Sequence, residues 1–190
     1  MSQAKTLTER ELKRVLDYIA INRHAARNRA MVMLTYCAGL RVSEVAALMY
    51  SDVVAADGNI KTEFRLKAEQ TKGGYARTVF VSDKLRKELA TYVKTLKRHD
   101  RDSLALFGTQ KRDSFTANTL CQYFHWLYKR AGLEGASSHS GRRTFITNLA
   151  SKGVGVRVLA ALAGHRNPAT TMVYIDASDD MKRKAVELVF

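Results

Sequence analysis

The apolar positions of this chain fall mostly at helical spacing. Thr8-x-x-Glu11 has the form of a capping box, and Leu12, Val15, Leu16 and Ile19 follow it on one helical face. A second helix is predicted from about His24 to Ala38, with Met31, Leu34 and Cys37 on one apolar face. Gly39 suits the position just beyond its end, where a left-handed backbone is common. A short third helix is predicted near Ser43, covering Val45 to Met49. Between Asp52 and Ser82 the period changes. Ile60, Thr62, Phe64 and Leu66 alternate with Lys61, Glu63, Arg65 and Lys67, and Thr78 to Val81 is a β-branched and aromatic run. With Gly73-Gly74 between them, these segments predict a small antiparallel sheet with a tight turn.

Helical spacing then resumes. Asp83 is read as the cap of a helix carrying Leu85, Leu89, Tyr92, Val93 and Leu96. His99 to Ser114 reads as a loop around the apolar stretch Leu104 to Phe107. Thr116 caps a helix with Leu120, Phe124, Leu127 and Tyr128, ended by Gly132. Ser138 is read as the cap of a helix from His139 to Ser151. Another helix carries Val156, Leu159 and Leu162 and stops at Gly164. Asn167-Pro168 opens a short helix that leads to Tyr174, and Ser178 to Val189 forms a last amphipathic helix. The expected fold class is mainly α with a small antiparallel β-sheet (α+β). A single proline and no long linker predict one domain over residues 1–190.

Composition adds a partner. Lys and Arg number 32 against 18 Asp and Glu, a net charge of +14, while 46% of the 190 residues are hydrophobic. The chain can bury a core, and its charge favours a polyanion, nucleic acid first. Cys37 and Cys121 sit among apolar residues without CxxC spacing. They read as small buried hydrophobes in a reducing compartment, not as a disulfide framework or a zinc module. The polar start MSQAKTLTEREL has no signal-peptide core, and the apolar run from Ala30 to Leu40 is too short for a bilayer. The expectation is a cytoplasmic protein with no membrane partner.

Four clusters carry candidate chemistry, and each has a structural reading beside the functional one. His139 and Arg142, three apart, share a helix face and suit a phosphate or carboxylate, or form a solvated basic helix end. Gly164-His165 precedes Tyr174 by nine residues from the His, or is a cap followed by a core tyrosine. Arg41 lies between apolar helices with Glu44 three residues on, a candidate structural ion pair. Lys72 beside Gly73-Gly74 is also ordinary turn chemistry.

Taken in order, these clusters resemble the tyrosine recombinase (phage integrase) family. GLRxSE at Gly39–Glu44, the TKGG turn at Thr71–Gly74, the His139-x-x-Arg142 box and the AGHxNPxTTxxY segment ending at Tyr174 are similar to that family's catalytic domain. The resemblance runs from about Leu12 to the C-terminal helix. It implies that Tyr174 attacks a DNA phosphodiester and forms a 3′-phosphotyrosyl link. It implies that Arg41 and Arg142 clamp the non-bridging oxygens, with His165 donating to the same phosphate. His139 would assist proton movement, Lys72 would protonate the departing 5′ oxygen, and Glu44 would support Arg41. No cofactor and no metal is implied.

The residues suit that scheme. Phosphoryl transfer spreads negative charge over equatorial oxygens, which fixed donors stabilise. A neutral phenol is a poor nucleophile, so neighbouring cations are expected. Arg143, Lys152 and Arg157 are candidate DNA phosphate contacts. Arg143 stands where many relatives have His, and Ser140-Gly141 replaces a bulkier pair. The chain leaves no room for the N-terminal clamp domain of many relatives, so the expectation is either a catalytic fragment of a larger recombinase or a small single-domain member. The resemblance also implies double-stranded DNA as partner and self-association into dimers or tetramers. The C-terminal helix within 177–190 would be exchanged between subunits, through a stripe of Met181, Ala185, Leu188 and Val189. Two rivals stay open: a type IB topoisomerase-like relaxing enzyme, which shares the Arg, Lys, His and Tyr set, and a non-catalytic basic DNA-binding regulator.

Overall fold

A computed structural model describes residues 4–96, 105–109, 112–175 and 179–187. Its helices are α1 (Glu9–Ala20), α2 (Ala25–Ala38), α3 (Val42–Ala46), α4 (Tyr50–Val53), α5 (Asp83–Val93), α6 (Ala117–Arg130), α7 (Ser140–Ser151), α8 (Val156–Ala163), α9 (Pro168–Met172) and α10 (Asp179–Val186). Strands β1 (Glu63–Leu66) and β2 (Arg77–Phe80) pair antiparallel, with Leu66 opposite Arg77. The mainly α class with a small antiparallel sheet is the observed one.

The centre is α2. Ala30, Met31, Val32, Met33 and Leu34 are all fully buried, so this helix is apolar all round rather than on one face. Helices α1, α3, α5 and α7 pack around it. Its end requires a glycine twice over. Gly39 has φ +64°, and a Cβ there would overlap the Phe145 ring of α7. The turn that follows delivers Arg41 to the start of α3, and the Gly39 carbonyl itself becomes part of the site described below.

Local signals hold where they are closed by neighbours in sequence. The Thr8–Glu11 box forms, Thr116 caps α6, and the Asn167 side chain accepts from the Ala169 N–H beside Pro168. Several boundaries differ from expectation. Ser82, not Asp83, caps α5, because its side chain accepts from the Leu85 N–H. The third helix ends at Ala46, since Met49 pairs with Ala105 as an isolated bridge and α4 follows. The strands are joined by residues 67–76 rather than by a tight turn. A 3-10 turn, Ala68–Gln70, opens that connection, held by Gln70, whose amide reaches the Ala47 carbonyl and Asp52. Helix α7 starts at Ser140, leaving His139 just outside it. Cys121 is exposed and Cys37 only half-buried, so neither is the buried hydrophobe expected. On α6 Cys121 faces away from the side that buries Leu120 and Phe124.

In the last helix Ala185 and Val186 are exposed. Leu188 and Val189 of the expected stripe, with half of the expected loop around Leu104, lie outside the described residues, as does the side chain of Met181. Among the described residues no helix is long and apolar enough to cross a membrane.

Candidate active site

The site is assembled around one buried carboxylate. Glu44, on the first turn of α3, has no exposed surface. Its Oε2 accepts from the Arg41 backbone N–H at 2.8 Å and from Arg77 Nη2 at 2.7 Å, and Oε1 accepts from Arg41 Nη1 at 2.9 Å. The expected Arg41–Glu44 pair is present, with the burial reversed: the Arg41 side chain keeps 25% exposure while the acid keeps none. A buried carboxylate needs such partners, since losing one costs about 3–5 kcal/mol. Burial pushes the Glu44 carboxyl up, but Arg77, the Arg41 N–H, Arg142 and Arg41 together hold it below its usual value.

Arg77 is the residue that sequence reasoning missed. At the start of β2 it also donates from Nη1 to the Leu162 carbonyl at 2.8 Å, and only 9% of its side chain is exposed. Its partners lie far away in sequence, at Glu44 and near the end of α8, so no local spacing reveals it. Gly164 at the end of α8 makes room for it. A Cβ there would sit 2.5 Å from Arg77 Cδ, and φ is +63°.

Arg142, on the first turn of α7, is 4% exposed. It donates to the Gly39 carbonyl at 2.6 Å and to the Ala163 carbonyl at 2.5 Å. The last carbonyls of α8 therefore receive two guanidinium groups, where a helix end concentrates negative charge. Even so, Arg142 is uncomfortable as a cation. Burial and then Arg41 pull it down to about 9; Glu44 pulls it back up, Arg77 lowers it further, and Tyr174 raises it. Three guanidinium groups here share a single carboxylate.

His165 follows Gly164. Its Nε2 lies 2.9 Å from Arg142 Nη2 and its Nδ1 lies 2.9 Å from Thr171 Oγ1. Burial first, then Arg142, Arg41 and Arg77, push its imidazole down to about 4, against a small opposing pull from Glu44. It is neutral at pH 7. The Tyr174 ring stacks on it, with centroids 6.0 Å apart and planes 16° apart. The Arg143 guanidinium lies 5.6 Å from the centre of the Tyr174 ring, with its buried Nε making no hydrogen bond.

Two clefts open on this cluster. Arg41, Lys72, Arg77 and His165 line one of about 700 Å³. His139, Arg143 and Tyr174 line a second of about 310 Å³. Lys72 is exposed on the connection between the strands. Of the other lysines on that ribbon, Lys61 is tied to the Ser51 carbonyl at 2.7 Å and neither it nor Lys67 lines the larger cleft. His139 is exposed, and its Nδ1 lies 3.2 Å from Ser138 Oγ, which in turn accepts from Cys121 Sγ. Burial, then Arg142, Arg41 and Lys72, lower the His139 imidazole. Lys152 and Arg157 are exposed and line neither cleft. Tyr128 and Tyr123 are poor alternatives to Tyr174. Tyr128 is fully buried, and burial pushes the Tyr123 phenol up to about 12. Among the described residues no three His, Cys, Asp or Glu gather as a metal site. The crowded arginines would in any case repel a cation.

The profile of the Phage integrase family matches residues 5–181. The chain belongs to this family. It is 31% identical over 186 residues to the tyrosine recombinase XerA of Pyrococcus horikoshii, covering 98% of this chain and 61% of that protein. The chain thus spans about three fifths of the length of that relative. The crystal structure of XerA recombinase superposes with a TM-score of 0.77 at 24% identity, covering 99% of this chain and 66% of that one. A Tn1549 transposon integrase, solved in complex with transposon right end DNA, superposes with a TM-score of 0.75 at 20% identity, covering 100% of this chain and 67% of that one. These likenesses establish the integrase catalytic-domain fold.

Proposed function

We propose that the protein is a site-specific DNA recombinase, a cytoplasmic enzyme that cuts and rejoins double-stranded DNA through a 3′-phosphotyrosyl intermediate. In this reading the Tyr174 oxygen attacks phosphorus, its proton passing toward His139. The bond to the 5′ oxygen breaks, and Lys72 protonates that oxygen as it leaves. A 5′ hydroxyl of another strand then reverses the step and releases Tyr174. Arg41, Arg142 and His165 hold the non-bridging oxygens. Residues 1–190 act as a catalytic domain, and self-association on DNA uses α10, where Ala185 and Val186 are exposed.

The observation that carries the reading is the surplus of guanidinium over carboxylate beside a tyrosine. Arg41, Arg77 and Arg142 surround Glu44 alone, and Tyr174 stacks on the histidine that Arg142 touches. Such a site is stabilised by an anion and is already oriented for one, which is what a phosphoryl transition state requires. A preorganised donor at developing charge is worth about 3 kcal/mol. Family membership and the net charge of +14 support DNA as the anion.

The test is a nicked suicide duplex taken from DNA flanking the gene, with the covalent protein–DNA adduct resolved on a denaturing gel. The wild-type chain is expected to form the adduct. Tyr174→Phe is expected to form none while binding the same duplex within about twofold, because only one oxygen is lost. An adduct with the Phe variant would assign the nucleophile elsewhere. Relaxation of supercoiled plasmid regardless of sequence would favour the topoisomerase-like reading.

A further inference from the structure

The two ring nitrogens of His165 are engaged by groups with different capacities. An arginine N–H can only donate, so Nε2, 2.9 Å from Arg142 Nη2, accepts. In a neutral imidazole the proton then sits on Nδ1 and is donated to Thr171 Oγ1, 2.9 Å away. In this state His165 has nothing to donate from the nitrogen that faces Arg142. A site that holds an oxyanion with both residues needs the opposite tautomer.

Thr171 is built to permit the change. It is fully buried, so its hydroxyl is not shared with bulk water. A hydroxyl rotates between accepting and donating, which a carbonyl or a carboxylate cannot do. The same residue fixes the approach of Tyr174, whose backbone N–H donates to the Thr171 carbonyl at 3.0 Å. The charged groups around the ring are Arg142, Arg41, Arg77 and Glu44, and the arginines disfavour a second proton on it.

We propose that Thr171 is a positioning residue that lets His165 exchange an accepting Nε2 for a donating one when an oxyanion enters the site. An anion oxygen takes the Arg142 Nη2–H. His165 loses the proton on Nδ1 to solvent and takes one up from solvent on Nε2, through the cleft that it lines, and shares it in a hydrogen bond to the same anion. The Thr171 hydroxyl turns and donates to Nδ1. The imidazole is neutral before and after, and the proton count is unchanged. The proposal rests on the recombinase reading only for the identity of the anion as a DNA phosphate.

The test is the ring-nitrogen NMR signature of the full chain labelled with 15N-imidazole histidine, with His165 assigned by its loss in His165→Gln. Alone, the wild type is expected to show a protonated Nδ1 and a bare Nε2. Saturating orthovanadate is expected to invert that pattern. Thr171→Ser should invert in the same way and retain cleavage. Thr171→Val should leave Nδ1 without a partner, fail to invert, and cleave the suicide duplex about tenfold or more slowly. A wild-type ring that keeps its tautomer with vanadate, or whose signals vanadate leaves unchanged, overturns the proposal without recourse to any variant. So does a Val variant that inverts and cleaves normally. If inversion occurs but the wild type never forms an adduct on DNA, the recombinase reading fails and the tautomer exchange stands.

Discussion

Arg142 and Lys72 are both assigned to the same phosphate, and the molecule treats them in opposite ways. Arg142 is 4% exposed and is held by the Gly39 carbonyl, the Ala163 carbonyl and His165. Lys72 is exposed on residues 67–76 and makes no ion pair with any described residue. One cation is locked by backbone from two separate turns; the other is tethered near a cleft by a connection anchored to the rest of the fold through the Gln70 amide and through Arg166 over the Tyr75 ring. The difference follows the proposed chemistry. Charge on the equatorial oxygens develops at one place and rewards donors that need no reorganisation. A leaving oxygen moves away from phosphorus, and the acid that serves it has to follow. The locked half carries a penalty in crowded positive charge, whereas Lys72 makes no ion pair with the described residues.

The largest effect that tests this contrast is expected from Arg142→Met. The variant keeps the apolar stem but leaves the Gly39 and Ala163 carbonyls without their donors. It should lose about 2–4 kcal/mol in urea unfolding, together with all adduct formation. A Met variant more stable than the wild type would mean that repulsion among Arg41, Arg77 and Arg142 outweighs the hydrogen bonds. In that case the locked half would be strained by its charges rather than held by them.

The next effect is in acid. The folded His165 titrates near about 4, below its ordinary value of 6.5. Between those pH values the unfolded chain binds a proton that the folded chain refuses, so stability falls as pH falls from 6.5 toward 4. Glu44 is lowered from 4.5, so its contribution is present above that pH and is lost as pH drops through its folded value. Both act in the same direction in the locked half. Urea midpoints measured from pH 7 to pH 4 should fall, and His165→Gln should flatten the part of the slope between 6.5 and 4. An unchanged slope in that variant would place the acid sensitivity outside this half.

What could be read from the sequence divides along a different line. Arg41 with Glu44, Thr8 with Glu11 and Asn167 with Ala169 are interactions within three residues, and their spacing states them outright. Arg77 is more buried than Arg41 and as central, yet it bonds Glu44 and Leu162 from a strand whose sequence shows only a β-branched and aromatic run. Gly73-Gly74 predicts a tight turn in the connection 67–76, while the Gln70 amide that shapes it reaches back to α4. His139 was placed on α7 by its spacing from Arg142. It stands one residue outside the helix, where Ser140 Oγ accepts from the Ser137 N–H and Ser138 is free to meet the imidazole. Motif order names residues that the fold brings together; the bonds of Arg77 and Arg142 that join them are long-range and leave no periodic trace.

The smallest expected effect on the fold is at Lys72, and it makes the sharpest statement about the contrast. Because Lys72 is exposed and unpaired among the described residues, Lys72→Ala should leave the urea midpoint unchanged, within about 0.5 kcal/mol. Its effect on cleavage should be severe all the same, provided that the scissile bond needs a proton at the 5′ oxygen. A 5′-bridging phosphorothiolate removes that need, since a thiolate leaves without protonation. On that substrate the variant should regain most of the wild-type rate, while Arg142→Met should not, because the equatorial oxygens are unaltered. Equal loss on both substrates would show that Lys72 serves binding or the shape of 67–76, and the acid would then have to be sought elsewhere.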